Sequence, residues 1–147
     1  MSKVFALYHI VFATSRRQPS LHGIDRQSFH RVIVNIAGEK NSKVICINSV
    51  DDHLHLLVNL SATVSLSAFM NAIKAKSSSW VKHHSNSKTF TSWCSGYYAC
   101  TVSPSMMKKS IAYIESQQEH HQRMNFDNEM RCIFEKLGLE YHPDELT

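Results

Sequence analysis

The segment DDHLHLLV, residues 51–58, places two histidines one residue apart inside an apolar run. In a β-strand, side chains at i and i+2 point the same way, so His53 and His55 present two imidazoles on one face while Leu54, Leu56 and Val58 enter the core on the other. Two neutral imidazoles this close can bind a divalent metal, but two ligands make an incomplete site. The alternative is a pair of half-exposed strand residues bonded to water or backbone, so a metal site needs a third ligand from elsewhere.

The segment AYIESQ, residues 112–117, supplies a phenol and an amide at helical spacing. Tyr113 and Gln117 lie four residues apart and therefore on one helix face, with His120 or His121 one turn further along. A lone tyrosine on an amphipathic helix more often packs against a sheet, and adjacent histidines are more often a solvated helix end. The residues alone leave both interpretations open.

Alternating periodicities predict the elements that must position these groups. We predict strands within 3–13, 43–50, 53–60 and 96–103, and helices from Asp25 to near Gly38 and from Thr63 or Ser65 onward. The order βαββαβ is typical of an α+β, ferredoxin-like fold, an antiparallel four-stranded sheet with two helices on one face. In that topology the first and third strands are neighbours, so the histidine strand is predicted to be central.

Additional C-terminal helices are predicted to carry the tyrosine. Ser103 as N-cap and Pro104 at the first helical position open a helix that runs to residue 123 without a breaker. Residues 126–137 form a last short helix, closed by Gly138.

Length and composition narrow the class of protein. A chain of 147 residues is most simply one domain, 1–147, and it is long enough to bury a core that stabilises it without a metal or a disulfide. Its four cysteines form no CxxC pair, and no signal-like or long apolar stretch occurs, so we expect reduced thiols, a cytoplasmic location and no membrane association.

Residues 1–88 hold 11 Lys and Arg against 4 Asp and Glu, whereas residues 89–147 hold 5 Lys and Arg against 8 Asp and Glu. The basic first part is a weak indication of a polyanionic partner.

Several basic and aromatic residues are candidate nucleic-acid contacts. The basic candidates are Arg16 and Arg17 in the first turn and Lys74 and Lys76 in the second helix. They can follow a phosphate backbone or can equally be ordinary surface charge. The aromatic candidates Trp93, Tyr97 and Tyr98 can stack unpaired bases or belong to the core.

The whole constellation resembles one family. The histidine motif on a central strand is followed by KAKSSSW (74–80), SWCSGYYACTVS (92–103) and then YIESQ on a helix. This arrangement resembles the HUH-type single-tyrosine transposases of the insertion-sequence-200-like group, whose relatives include the REP-associated tyrosine transposases. The resemblance runs from YHIVFATSRRQP (8–19) through residues 126–146.

The resemblance implies roles for four residues. His53 and His55 match the motif histidines that bind Mg²⁺ or Mn²⁺, and Tyr113 falls where the family keeps its nucleophile. Gln117 falls where some members supply the third metal ligand. Because an amide is a weak ligand, three histidines compete for that role, namely His9, His120 and His121.

The implied activity is cleavage and rejoining of single-stranded DNA, bearing hairpins, at the ends of an insertion sequence through a 5′-phosphotyrosine. The implied assembly is a homodimer, and the short connection VSPS (102–105) suggests that His53 and His55 of one chain work with Tyr113 of the other. Two alternatives to this activity are retained: a domesticated relative that binds DNA without cutting it, and an RRM-like module that binds single-stranded nucleic acid. The chain lacks the aromatic motif of the latter.

Overall fold

The computed structural model describes residues 2–146, without the side chains of 121–123 and 145. Its strands are β1 (Leu7–Ala13), β2 (Lys43–Ser49), β3 (His53–Asn59) and β4 (Tyr98–Thr101). Its helices are α1 (Arg26–Glu39), α2 (Leu66–His84), α3 (Met107–Glu115), α4 (Gln117–Arg123) and α5 (Phe126–Lys136). Short 3-10 turns lie at Ser15–Arg17, Pro104–Met106 and Pro143–Leu146. Among the described residues, no helix is long and apolar enough to span a membrane.

The four strands form one antiparallel sheet in the order β2-β3-β1-β4. This order confirms the predicted α+β, ferredoxin-like arrangement and places the histidine strand β3 between β2 and β1. On β1, Val11 lies opposite His55 and Ala13 lies opposite His53. The histidines are therefore flanked by strands on both sides, and only groups that lie over their own face of the sheet can contact their side chains.

Helices cover both faces of the sheet. α1 and α2 pack on the face formed by apolar residues such as Leu54 and Leu56. Both begin as predicted, because the Asp25 carboxylate accepts from the Ser28 N–H at the start of α1 and Ser65 caps α2. The opposite face, which carries the histidines, is covered by α3 and α5. Every residue of β3 before its last is consequently buried.

The prediction of an unbroken helix to residue 123 is wrong. After a 3-10 turn, α3 ends at Glu115, and α4 begins at Gln117. Asn48 of β2 explains the interruption, since its side-chain amide donates to the carbonyls of Ile114 (2.9 Å) and Glu115 (3.2 Å). A side chain from the sheet thus satisfies carbonyls that the helix would otherwise bond internally.

The last helix follows its prediction. Asn125 caps α5 by accepting from the Asn128 N–H at 2.9 Å. Gly138, with φ at +69°, follows its end, and this left-handed conformation favours glycine because it has no Cβ. The cap and the glycine together bound a helix that lies over the histidine strand.

Candidate active site and metal centre

His53 and His55 form a buried pair, and each ring has a hydrogen-bonding partner at its Nδ1 atom. Both side chains lie on the same face of β3 and are fully buried, so the half-exposed alternative does not hold. Nδ1 of His53 lies 2.7 Å from Oδ1 of Asp52, and Nδ1 of His55 lies 2.9 Å from Nε2 of His9. Partners at Nδ1 orient imidazoles as they do in metal centres, where the second ring nitrogen faces the ion.

Glu129 of α5 brings a carboxylate to the two Nε2 atoms. Its Oε1 lies 3.2 Å from Nε2 of His55 and 3.4 Å from Nε2 of His53. The carboxylate is buried, and the ligand atoms of the three residues lie within 4.8 Å of one another. Two imidazoles and one carboxylate at this separation can hold a divalent ion.

Tyr113 of α3 lies beside this cluster. Its ring centroid is 5.7 Å from that of His55, and its hydroxyl donates to Oε2 of Glu129. α3 is held on the sheet by Ile114, which is fully buried against β3. Burial and then the negative charge of Glu129 raise the pKa of Tyr113 above its usual range, so the phenol is protonated here.

Gln117 is fully buried, one turn beyond Tyr113. Its Nε2 donates weakly to the Tyr113 carbonyl at 3.4 Å. Among the described residues, its Oε1 has no hydrogen-bond partner. A buried amide oxygen without a partner costs about 1–3 kcal/mol, and a bound cation is one way to satisfy it. Two imidazoles, the Glu129 carboxylate and this amide oxygen are all donor types that bind divalent ions.

Of the competing histidines, His9 supports the site from the neighbouring strand. Its bond to His55 places it behind that ring rather than facing Glu129. Burial and the neighbouring His55 lower the pKa of His9 to about 3, so it is neutral at physiological pH. The ring of His120 packs at 4.8 Å on Tyr113. The side chain of His121 lies outside the described residues.

The electrostatics of His53 differ from those of His9. Burial alone favours the neutral imidazole, but hydrogen bonds to Asp52 and Glu129 outweigh it and raise the pKa of His53. The carboxylates on either side of this ring thus stabilise positive charge. The same pair of carboxylates would favour a cation bound between His53 and His55.

A family model described as "Transposase IS200 like" matches residues 3–117, from before β1 to Gln117. The chain belongs to the IS200-like transposase family. The match includes the histidine motif and Tyr113, and it ends before α5. The transposase therefore contributes Glu129 from a part of the chain that the family model does not cover.

Named relatives agree with the family. The transposase is 31% identical over 117 residues to the transposases for insertion sequence element IS200 of Salmonella typhimurium and Salmonella typhi, with 76% of each chain covered. A crystal structure of a candidate transposase from Deinococcus radiodurans is similar with a TM-score of 0.58, 23% identity, and coverage of 80% of this chain and 95% of that one. A REP-associated tyrosine transposase, solved bound to a REP hairpin, gives a TM-score of 0.61 at 13% identity over 99% and 87% of the chains. These two structures establish the shared fold.

The basic residues predicted to contact DNA lie in different surroundings. Arg16 is exposed, and Lys76 is an exposed residue paired with Glu39. Arg17 pairs with Asp127 of α5. For these residues, DNA contact stays a prediction.

Lys74 has an intramolecular role that the charge pattern did not reveal. Its half-buried ammonium donates to three consecutive carbonyls, those of Cys94, Ser95 and Gly96, at 2.9, 3.1 and 2.9 Å. An ammonium has three N–H groups, so these bonds use its whole donor capacity.

The aromatic candidates are mostly core residues. Trp93 is buried and donates to the Ser77 hydroxyl at 2.9 Å. Tyr98 is buried in β4 beside His9, and burial raises its pKa. Tyr97 is partly exposed, with the Lys74 ammonium 5.4 Å from its ring centroid. Among the three, Tyr97 alone retains a surface on which a base can stack.

Sequence reasoning missed Glu129. The helix after Asn125 has apolar residues at i, i+4 and i+7, namely Phe126, Met130 and Ile133. Glu129, at i+3, falls on the same face. A carboxylate inside an apolar stripe is the available signal, because charged residues are rarely buried without a partner.

Proposed function

We propose that this transposase cleaves and rejoins single-stranded DNA, with Tyr113 as the nucleophile. The observation that carries the proposal is the meeting of the Tyr113 hydroxyl with the buried His53 and His55 pair in one cluster. Neither group alone distinguishes an enzyme from a packed core. Together, they supply a nucleophile and a site for positive charge, which are the two requirements of phosphoryl transfer.

The proposed reaction conserves the number of phosphoester bonds. The phenolic oxygen of Tyr113 attacks the scissile phosphorus, the bond from phosphorus to the 3′ oxygen breaks, and a 3′ hydroxyl and a 5′-phosphotyrosine result. The phenol loses its proton and the leaving oxygen gains one. A 3′ hydroxyl of another strand can then attack the phosphotyrosine, so strand transfer needs neither ATP nor water.

The residues present fit the divalent cation that the family implies. We propose that His53, His55 and the amide oxygen of Gln117 hold Mg²⁺ or Mn²⁺. Such an ion supplies positive charge that neutralises the phosphate and orients it for in-line attack. Since Tyr113 is protonated in the described site, loss of its proton needs positive charge nearby.

The proposed substrate is single-stranded DNA with a hairpin near the cleavage site. The hairpin-bound REP-associated transposase of the same fold supports this substrate class. Arg16 and Lys76 are the proposed backbone contacts that remain on the surface. We also propose that residues 1–147 act as one catalytic domain in a homodimer.

Two features favour the enzyme over its rivals. A relative that only binds DNA has no need to keep a tyrosine against the histidine pair, yet Tyr113 is bonded to Glu129 there. An RRM-like module binds RNA on an exposed sheet face. Here, α1 and α2 cover one face and α3 and α5 the other.

A covalent-adduct assay tests the proposal. A pool of single strands, each with a hairpin and randomised flanks, is labelled at the 3′ end and incubated with Mn²⁺, and the products are separated on a denaturing gel. Wild-type protein should give a labelled adduct, whereas the same pool labelled at the 5′ end should give none, because the tyrosine retains the 3′ fragment. Tyr113→Phe should remove the adduct, since it loses only the hydroxyl, and Tyr97→Phe is the matched control that should keep it. An adduct of undiminished yield in Tyr113→Phe would place the nucleophile elsewhere.

A further inference from the structure

The Glu129 carboxylate faces two different partners with its two oxygens. Oε1 lies 3.2 and 3.4 Å from the Nε2 atoms of His55 and His53. Oε2 accepts the hydroxyl of Tyr113. One side chain thus joins the histidine pair to the proposed nucleophile.

Chemistry favours this carboxylate as a metal ligand. Mg²⁺ and Mn²⁺ are hard ions that prefer charged oxygen donors, and a neutral amide is a weaker donor than a carboxylate. Glu129 is only 3% exposed, so its negative charge requires positive charge close by. A cation between the three ligand atoms, which lie within 4.8 Å of one another, meets both needs.

Arg17 contacts the first residues of α5, the helix that carries Glu129 and also packs on the sheet through Phe126 and Met130. The Arg17 guanidinium pairs with Asp127 and lies 5.9 Å from the centroid of the Phe126 ring. Phe126 in turn packs on the ring of His53 at 4.4 Å. These contacts fix the first turn of α5 directly over the histidine strand.

Arg17 has an unusual backbone conformation. It follows Arg16 in the turn after β1, and their φ angles are +51° and +55°. Non-glycine residues seldom adopt positive φ, and such conformations persist where surrounding contacts require them. The pairing with Asp127 is a contact of this kind.

We propose that Glu129 is the acidic ligand of the metal centre and that Arg17 is a positioning residue that docks α5, and with it Glu129, on the histidine pair. The inference rests on the proposed function for the location of the metal at His53 and His55. It adds a ligand from outside residues 3–117, which the family model matches. Gln117 keeps its proposed place as a neutral donor.

Titration calorimetry with Mn²⁺, without DNA, tests the ligand. Glu129→Gln keeps the size of the side chain and removes its charge, and we expect Mn²⁺ affinity to fall at least about 10-fold. Glu135→Gln is the matched control, an exposed glutamate of the same helix, and should bind as wild type. Glu129→Asp, which keeps the charge on a shorter stem, should retain intermediate affinity, and circular dichroism verifies that each variant is folded.

His53→Ala separates this inference from the proposed function. If His53→Ala loses Mn²⁺ binding while Glu129→Gln binds as wild type, Glu129 is not a ligand and the proposed site stands. If His53→Ala also binds Mn²⁺ as wild type, the metal does not bind at the histidine pair, and the proposed site and the inference both fail. Loss in both variants, with Glu135→Gln unchanged, supports the assignment.

The role of Arg17 is tested by reversing its ion pair. Arg17→Asp places like charges together at the start of α5 and should weaken Mn²⁺ binding about 10-fold, through the position of Glu129. The double variant Arg17→Asp, Asp127→Arg restores an opposite-charge pair and should return the affinity to within about 3-fold of wild type. Asp127 also accepts from the Tyr141 hydroxyl, so recovery in the double variant would support the positioning role, and wild-type affinity in the single variant would refute it.

Discussion

Lys74→Met should destabilise the protein without weakening its contact with DNA. The substitution keeps an unbranched apolar stem and removes the ammonium that donates to the carbonyls of Cys94, Ser95 and Gly96. These carbonyls lie in the loop that leads into β4. In the variant they lose their cationic donor, and the loop loses one of its attachments to α2, the bond from Trp93 to Ser77 remaining.

The magnitude follows from the charge and burial of the group. A hydrogen bond from a charged donor contributes about 1.5–3 kcal/mol, but three bonds from one ammonium are not additive. Burial also lowers the pKa of Lys74, so desolvation offsets part of the gain, and the group is only half-buried. We therefore expect a loss of about 2–3 kcal/mol in the free energy of unfolding. With a urea m value of about 2 kcal/mol/M, the midpoint should fall by about 1–1.5 M.

Lys76→Met is the control on the same helix. Lys76 is exposed and paired with Glu39, so its loss should cost about 0–1 kcal/mol. If Lys76 contacts a phosphate, the slope of log affinity for single-stranded DNA against log salt should become shallower by about 0.7. Lys74→Met should leave that slope unchanged. A shallower slope together with an unchanged urea midpoint in Lys74→Met would refute the structural role and return Lys74 to the DNA interface.

Two further predictions concern assembly and acid stability. Mixing Tyr113→Phe chains with His53→Ala chains should give no adduct, because in the described chain Tyr113 lies against its own His55 and every such site then carries one lesion. Recovery of adduct in the mixture would mean that the sites are completed in trans, as the resemblance to the family implies. Burial, and to a smaller extent the positive charge of Arg26, lower the pKa of His30 to about 4. As the pH falls, His30 is therefore protonated near pH 6.5 in the unfolded chain but only near pH 4 in the folded chain. The stability contributed by neutral His30 is therefore present above pH 6.5 and lost as the pH falls toward 4. Between pH 7 and 5, the free energy of unfolding measured in urea should fall by less in His30→Gln than in the wild type. The difference should be on the order of 1–2 kcal/mol, allowing for solvent screening. An equal fall in both proteins would contradict this reasoning.

Local patterns determined most of the fold. The period of two put His53 and His55 on one face of a strand, and capping residues such as Asp25 and Ser65 marked the starts of helices. These signals are read from neighbours within a few residues, where the backbone alone decides which side chains share a face. The element order then restricted the sheet to one familiar topology, which placed the histidine strand at its centre.

Long-range contacts decided the rest. Glu129 meets His55 across 74 residues, and Asn48 interrupts the tyrosine helix across 66 residues at Ile114. The apolar stripe around Glu129 indicates that it is buried, but neither that stripe nor the position of Asn48 on an edge strand identifies the partner of either residue. Their partners are set by how α3 and α5 settle on the sheet, and that depends on the packing of the whole core. The sequence therefore identified the histidine pair and the tyrosine, while the tertiary structure alone brought the carboxylate between them, because a buried charge acquires its partners only when distant elements close around it.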